Sequence, residues 1–286
     1  MLYRNFETQE ELDEQYKVAD TVDSYEDYAQ WYAETSRDTR DELESYLDVS
    51  FGPTVAEHLD IFPATQPDAP VVLFIHGGYW HSLSSKEFSF VARGLVASGM
   101  TTVVLNYELA PKVTIDEIVR QTRAAVVWID DNISKYNGDS EQIYVAGHSA
   151  GGHLTGMVLA TDWEQEYERR SDIVNGATAI SGLFDLEPFP YTWLQPKLQL
   201  TWGQVRRNSP IRQIPADGPP LIVTYGEEEP SEMRRQSDAF LEAWRDAGHP
   251  GKHVTQAGDD HFSAIDGFLD PDSPLLSAIE EQIESS

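Results

Sequence analysis

Five short apolar runs constrain this chain more than any other feature. They are VVLFI (71–75), TTVVLNY (101–107), QIYVAG (142–147), ATAISG (177–182) and PLIVTYG (220–226), and KHVTQA (252–257) continues the series. A strand with one wet face alternates apolar and polar residues, whereas a run that is apolar throughout belongs to a strand covered on both faces. Helical patterns lie between the runs. They cover 86–98, ending at Gly99; 114–132, with Ile115, Ile118, Thr122, Ala125 and Ile129 on one side; 150–160; and 231–247. Strand and helix in alternation predict an α/β chain: a mostly parallel, doubly wound sheet with helices on both faces. Upstream, residues 8–48 read as helical, with Leu12, Tyr16, Tyr25, Tyr28, Trp31, Tyr32, Leu43 and Leu47 set among acids. Residues 55–62 alternate like a half-buried strand. There is no internal repeat and no linker long enough to separate domains, so 1–286 is expected to be a single domain. Within it, 1–50 forms an N-terminal helical lid or brace, and 186–215, rich in Pro, Trp and Gln, forms an insertion over one end of the sheet.

The run at 142–147 leads directly into Gly147-His148-Ser149-Ala150-Gly151, followed by a small-residue helix. This is G-x-S-x-G between a buried strand and a helix. A serine there sits on a strained turn that flanking glycines permit, and its hydroxyl emerges at the C-terminal end of the strand. The plainer alternative is an N-cap serine with glycines used for packing. As a nucleophile Ser149 needs a base. His261, in GDDHFSAID just after the strand at 252–257, is the only late histidine on a loop at that end of the sheet. His249 sits in a turn and His253 inside a strand. An acid to orient the base should follow the strand at 220–225, where YGEEEPSE offers Glu227, Glu228 and Glu229. Glu229, third after the glycine, has the preferred spacing, and Asp185 is the outside candidate.

FIHGGYWHS (74–82) completes the set. The amides of Gly78 and Tyr79, in a loop that begins His76-Gly77, could join that of Ala150 around an oxyanion. Tyr79 and Trp80 are either pocket wall or core. His148, packed at the turn, is counted with them as a candidate substrate-binding residue, while His76 and His153 are expected to hold loops. No H-E-x-x-H, Walker A or G-x-G-x-x-G pattern occurs, and neither His76/His81 nor His148/His153 is spaced to share a helical face. No metal and no cofactor is therefore expected.

Charge narrows the partners. The formal net charge is −29, with 15 acidic and 4 basic residues in 1–50 and 8 acidic and none basic in 259–286. Such a chain lacks the basic footprint of nucleic-acid binding. An acidic surface with 6 Lys against 14 Arg suits a salt-rich cytoplasm. No run approaches the ~20 apolar residues of a membrane span, the first residues lack a signal-peptide pattern, and there is no cysteine. The expectation is a cytoplasmic protein with a small-molecule partner, no membrane and no nucleic acid; a homodimer stays open.

HGGYW (76–80), NYELAP (106–111), GHSAGGH (147–153), SGLFDL (181–186), NSP (208–210) and DHF (260–262) together resemble the α/β-hydrolase superfamily, nearest its bacterial kynurenine formamidase and esterase-like branch. The similarity covers most of the chain, including the acidic, aromatic N-terminal segment. It implies the α/β-hydrolase fold, a Ser149–Glu229–His261 triad and an HGG oxyanion loop. Glu229 departs from the Asp usual in that branch. The implied activity is hydrolysis of a small aromatic amide or ester, arylformamidase on N-formylkynurenine-like compounds, with a general carboxylesterase as the alternative and a non-catalytic binding protein as a third reading. No residue stands out as partner for the amino-acid end of N-formylkynurenine, and an acidic surface would not attract a carboxylate.

Overall fold

The computed structural model describes residues 1–285. Eight strands form one sheet: β1 (Tyr46–Ser50), β2 (His58–Phe62), β3 (Ala69–Ile75), β4 (Thr101–Leu105), β5 (Gly138–His148), β6 (Gly176–Ile180), β7 (Leu221–Gly226) and β8 (Gly251–Gln256). Their order is β1-β2-β4-β3-β5-β6-β7-β8. β2 runs antiparallel to both β1 and β4, and every pair from β4 to β8 is parallel. Successive residues of β4 and β6 are all buried, so both faces of the sheet are covered, as the uninterrupted apolar runs require. Parallel strands in register bring their C-terminal ends, and the loops that follow, to one edge of the sheet.

Among the described residues ten α-helices surround it: α1 (Gln9–Tyr16), α2 (Tyr25–Glu42), α3 (Ala92–Ala97), α4 (Ile115–Asn132), α5 (Ala150–Leu159), α6 (Trp163–Tyr167), α7 (Gln195–Leu198), α8 (Trp202–Arg207), α9 (Ser231–Asp246) and α10 (Pro274–Glu284). α4 buries Ile115, Ile118, Val119, Thr122, Ala125, Val126 and Ile129, one stripe at helical spacing. α3 backs closely onto α10: a Cβ on Gly94 would come within 2.4 Å of Leu276 Cδ1. No described helix is long and apolar enough to cross a membrane.

The N-terminal helix expected over 8–48 is two helices and a strand. Thr8 starts α1 with a reciprocal capping box to Glu11, and Ser24 caps α2. Between them lies a short 3₁₀ turn, Val18–Thr21. Residues 46–50 are an edge strand that leaves Tyr46 and Leu47 half exposed. An edge with little burial carries no alternation, so its sequence could not be told from a helix tail. The strand expected from 55 begins at His58 instead, Val55 being fully exposed in the preceding turn.

Candidate active site

β5 ends at His148 and α5 starts at Ala150, leaving Ser149 alone in the turn with φ +58° and ψ −116°. A non-glycine residue in that region costs about 1–3 kcal/mol and persists only where the surroundings impose it. Here they do. The Ser149 amide donates to the Ile180 carbonyl at 2.8 Å, and the Ser149 carbonyl accepts from the His153 amide at 3.1 Å. The flanking glycines admit no side chain: a Cβ on Gly147 would lie 2.2 Å from the Gly151 carbonyl oxygen, and one on Gly151 1.9 Å from that of Ile75.

Ser149 Oγ lies 3.0 Å from His261 Nε2, and His261 Nδ1 lies 3.0 Å from Glu229 Oε2. All three residues are buried. Glu229 Oε1 also accepts from the Ser181 hydroxyl and, at 2.9 Å, from the Gly226 amide. The carboxylate thus meets three donors, which compensates its burial. Its neighbours do not compete. Glu227 and Glu228 are exposed, and Asp185 is held by Arg212 at 3.2 Å. His249 Nε2 donates to the Pro215 carbonyl at 2.9 Å, and His253 packs against Tyr225; neither meets Ser149. Ser181, unassigned in the sequence although it opens SGLFDL, shares the left-handed backbone of Ser149, with φ +52°.

The HGG loop runs beside this turn. Gly78, Tyr79 and Trp80 have φ values of +100°, +48° and +59°, a left-handed stretch that turns the chain over the serine. A Cβ on Gly77 would sit 3.1 Å from Ser149 Cβ, so Gly77 sets the approach of the two segments. The amides of Gly78, Tyr79 and Ala150 donate to no acceptor among the described residues. Ala150 is also the first residue of α5, where the helix dipole adds partial positive charge.

Three segments quoted separately from the sequence meet at His153. Trp80 Nε1 donates to His153 Nδ1 at 3.1 Å, and His153 Nε2 donates to the Asn208 carbonyl at 2.7 Å. Burial lowers the His153 pKa to about 4, in keeping with a neutral ring that uses both nitrogens. Trp80 is accordingly core: its side chain is buried, and it does not line the cavity described below, which corrects its candidacy as a substrate-binding residue. His76 is a loop holder as well, with Nδ1 donating to the Gly77 carbonyl at 2.7 Å and its ring stacked on Tyr107. His148 Nε2 donates to the His261 carbonyl at 2.8 Å, and burial, then the nearby His261, lowers its pKa well below the ordinary value. Its Nδ1 is therefore an acceptor, buried and unpartnered.

Above Ser149 opens a cavity of about 430 Å³, within the range of small-molecule sites. Its wall includes Tyr79, His148, Leu83, Phe88 and Phe262. Lys17–Asp20, Tyr25, Tyr32 and Trp193 also line it; Tyr25 and Tyr32 belong to the aromatic set of the segment read as lid or brace, and Lys17–Asp20 and Trp193 were not singled out from sequence. Their signal there was only an excess of aromatics in 16–32; which of them face inward depends on tertiary packing. Tyr32 donates to the Phe262 carbonyl at 2.7 Å, and Tyr28, outside the cavity, donates to Asp260 at 2.8 Å. The N-terminal helices thus supply wall on one side and grip the His261 loop on the other. Among the described residues no group of three or more His, Asp or Glu side chains converges as a metal site would. The chemistry on offer is a hydroxyl aimed at a base, a base aimed at a carboxylate, and free amides beside both: the components of acyl transfer.

Comparison with known proteins agrees with that chemistry. The BD-FAE family model matches residues 59–244. The kynurenine formamidase of Danio rerio is 34% identical over 254 residues, covering 86% of this chain and 85% of that protein. The esterase LipQ of Mycobacterium tuberculosis is 28% identical, over 70% of this chain and 53% of its own length. The crystal structure of a protein from Silicibacter sp. tm1040, put forward as a thioesterase, superposes with a TM-score of 0.84 at 28% identity, covering 94% of this chain and 99% of that one.

Proposed function

Since the chain belongs to the BD-FAE family of α/β-hydrolases, alongside kynurenine formamidases and carboxylesterases, we propose that it cleaves aryl formamides of the N-formylkynurenine type through an acyl-enzyme on Ser149. The observation that carries this reading is the unbroken line Ser149 Oγ–His261 Nε2 and His261 Nδ1–Glu229 Oε2, at 3.0 Å each, on the floor of an aromatic cavity. In the proposed cycle His261 takes the Ser149 proton as Oγ attacks the formyl carbon. The amides of Gly78, Tyr79 and Ala150 hold the oxyanion, and Glu229 stabilises the imidazolium. His261 then protonates the aniline nitrogen as the C–N bond breaks. Water, deprotonated by the same ring, releases formate from Ser149. Residues 1–50 act in this scheme as a lid that also braces the catalytic loop, and 186–215 as an insertion that contributes Trp193.

A second reading, a carboxylesterase for aryl or short acyl esters, is favoured by the mostly apolar wall and by the likeness to LipQ. Matched kcat/KM values for N-formylkynurenine and a panel of 4-nitrophenyl esters separate the two. The formamidase reading expects N-formylkynurenine to be the better substrate by tenfold or more, and a preference for esters of that size overturns it. Ser149→Ala should lose on the order of 10⁴-fold in kcat on either class while melting as wild type does.

A further inference from the structure

One cationic residue borders the cavity. Of the 20 lysines and arginines Lys17 alone is among its described lining residues, with its side chain 42% exposed, and Asp20 is the one acidic residue among them. Lys17 caps the 3₁₀ turn between α1 and α2 and Asp20 lies within it, where the Asp20 amide donates to the Lys17 carbonyl at 2.8 Å. The Lys17 ammonium has a single ionic neighbour, Asp13 Oδ2, at 3.6 Å, beyond the reach of a good hydrogen bond. Asp13 is buried and already engaged, accepting from the Trp193 amide at 2.9 Å and from Gln9 at 3.2 Å. It therefore steers Lys17 without saturating it, and it holds Lys17 and Trp193 at the same end of the cavity. Trp193 Nε1 is buried and has no acceptor among the described residues. The carbonyl of Tyr16, the residue before Lys17, accepts the Tyr79 hydroxyl, which ties this corner to the loop beside Ser149.

A net charge of −29 would repel an anion from a distance, but in physiological salt exposed charges act over only about 8 Å. What an anionic substrate meets inside the cavity is then decided by its lining. We propose that Lys17 is the specificity-determining residue of this site. Its ammonium binds a carboxylate on the side arm of the substrate, away from the carbonyl that Ser149 attacks, with Trp193 Nε1 as second donor and Asp20 pairing with an ammonium on the same arm. This rests on the reading of the site as a serine hydrolase for aryl amides or esters, and it supplies the partner for a charged arm that the sequence did not reveal.

Two substrate pairs test it: N-formylkynurenine with its methyl ester, and 3-(2-acetoxyphenyl)propanoate with its methyl ester, followed by release of the arylamine or phenol. Lys17→Met should raise KM for both carboxylates about tenfold to a hundredfold, the worth of a hydrogen bond to a charged group. The corresponding kcat values should stay within about twofold, and the methyl esters, which also report on folding, within about threefold. Lys17→Arg should restore most of the loss, and Lys17→Glu should make the methyl esters the better substrates. A carboxylate-to-methyl-ester ratio that is the same in all four enzymes overturns the assignment. If both formamides are cleaved with such a ratio, Lys17 falls and the formamidase reading stands. If neither formamide is cleaved but the acetoxy pair shows the Lys17-dependent ratio, the formamidase reading falls and Lys17 stands.

Discussion

Glu229 is one of three adjacent glutamates, yet only its carboxylate is buried and only it meets His261. Glu229→Gln keeps the shape, but its amide NH₂ would face either the Gly226 amide or the ring N–H, so one donor meets another. The proposed role predicts a loss in kcat of about 10³–10⁴-fold, against less than threefold for Glu227→Gln or Glu228→Gln. Equal small losses from all three would remove Glu229 from the mechanism. Asp266 provides a second test at this scale. Burial, reinforced by Asp259 and Asp260, raises its pKa to about 7 from 3.8, and its Oδ1 is buried without a partner. Below the unfolded value the group is neutral in both states and costs nothing. As pH rises towards 7 the unfolded chain is ionised while the folded one resists, so stability falls across that window. Asp266→Asn should therefore be more stable than wild type at pH 8, by about 1–3 kcal/mol after allowing for partial exposure, with the gain gone at pH 4. Denaturant midpoints at the two pH values measure it. A gain that is larger at pH 4 refutes the assignment.

At the scale of elements, α2 performs two tasks with neighbouring tyrosines. Tyr25 lines the cavity, with its ring 5.3 Å from that of Phe262, while Tyr28 holds Asp260 from outside. Tyr25→Ala should lower kcat/KM for phenyl acetate about threefold to tenfold more than for ethyl acetate, the worth of one aromatic contact. Tyr28→Phe should lower kcat on both esters by the same modest factor, because it loosens the loop and leaves the wall intact. Identical responses to the two variants would assign α2 a bracing role alone. This division was not legible in the sequence. Tyr16, Tyr25, Tyr28, Trp31 and Tyr32 mark an aromatic face there, but which rings turn inward is decided by Phe90, Phe189 and Phe262, far along the chain. The approach of Ser149, Glu229 and His261 could be expected because each follows an expected strand of one series, and parallel strands deliver their following loops to one edge. Ser181 directly follows β6 and carries the same signal without having been assigned, whereas Lys17 carries none. β1 was missed because an exposed edge strand has no buried face to pattern its residues.

For the whole molecule, charge is the dominant unbalanced quantity. With 49 acidic residues against 20 basic ones, even complete pairing leaves 29 negative charges facing one another and solvent. At low ionic strength their repulsion opposes the compact state, and salt screens it, the Debye length falling to about 3 Å at 1 M. Raising NaCl from about 0.05 to about 1 M should increase Tm by several degrees, since about 1 kcal/mol shifts a domain of this size by roughly 2–4 °C. A flat or falling Tm would mean that the ion pairs of Lys86, Arg120 and Arg170 outweigh the repulsion.

The grip of α2 on the His261 loop also has a bearing on how the protein is made. Tyr28 and Asp260 are 232 residues apart. A ribosome adding about 5–20 residues per second leaves roughly 10–50 s between the two. Through that interval α1 and α2 wait for Phe90, Phe189 and Phe262 to be synthesised, one after another, before their aromatic faces are fully covered. The nascent chain therefore carries an exposed apolar surface through that interval, and the pocket closes only once residues 260–262 have emerged. Hydrolytic activity should switch on abruptly at that point, and a ribosome stalled before residue 260 should hold a chain that turns over nothing.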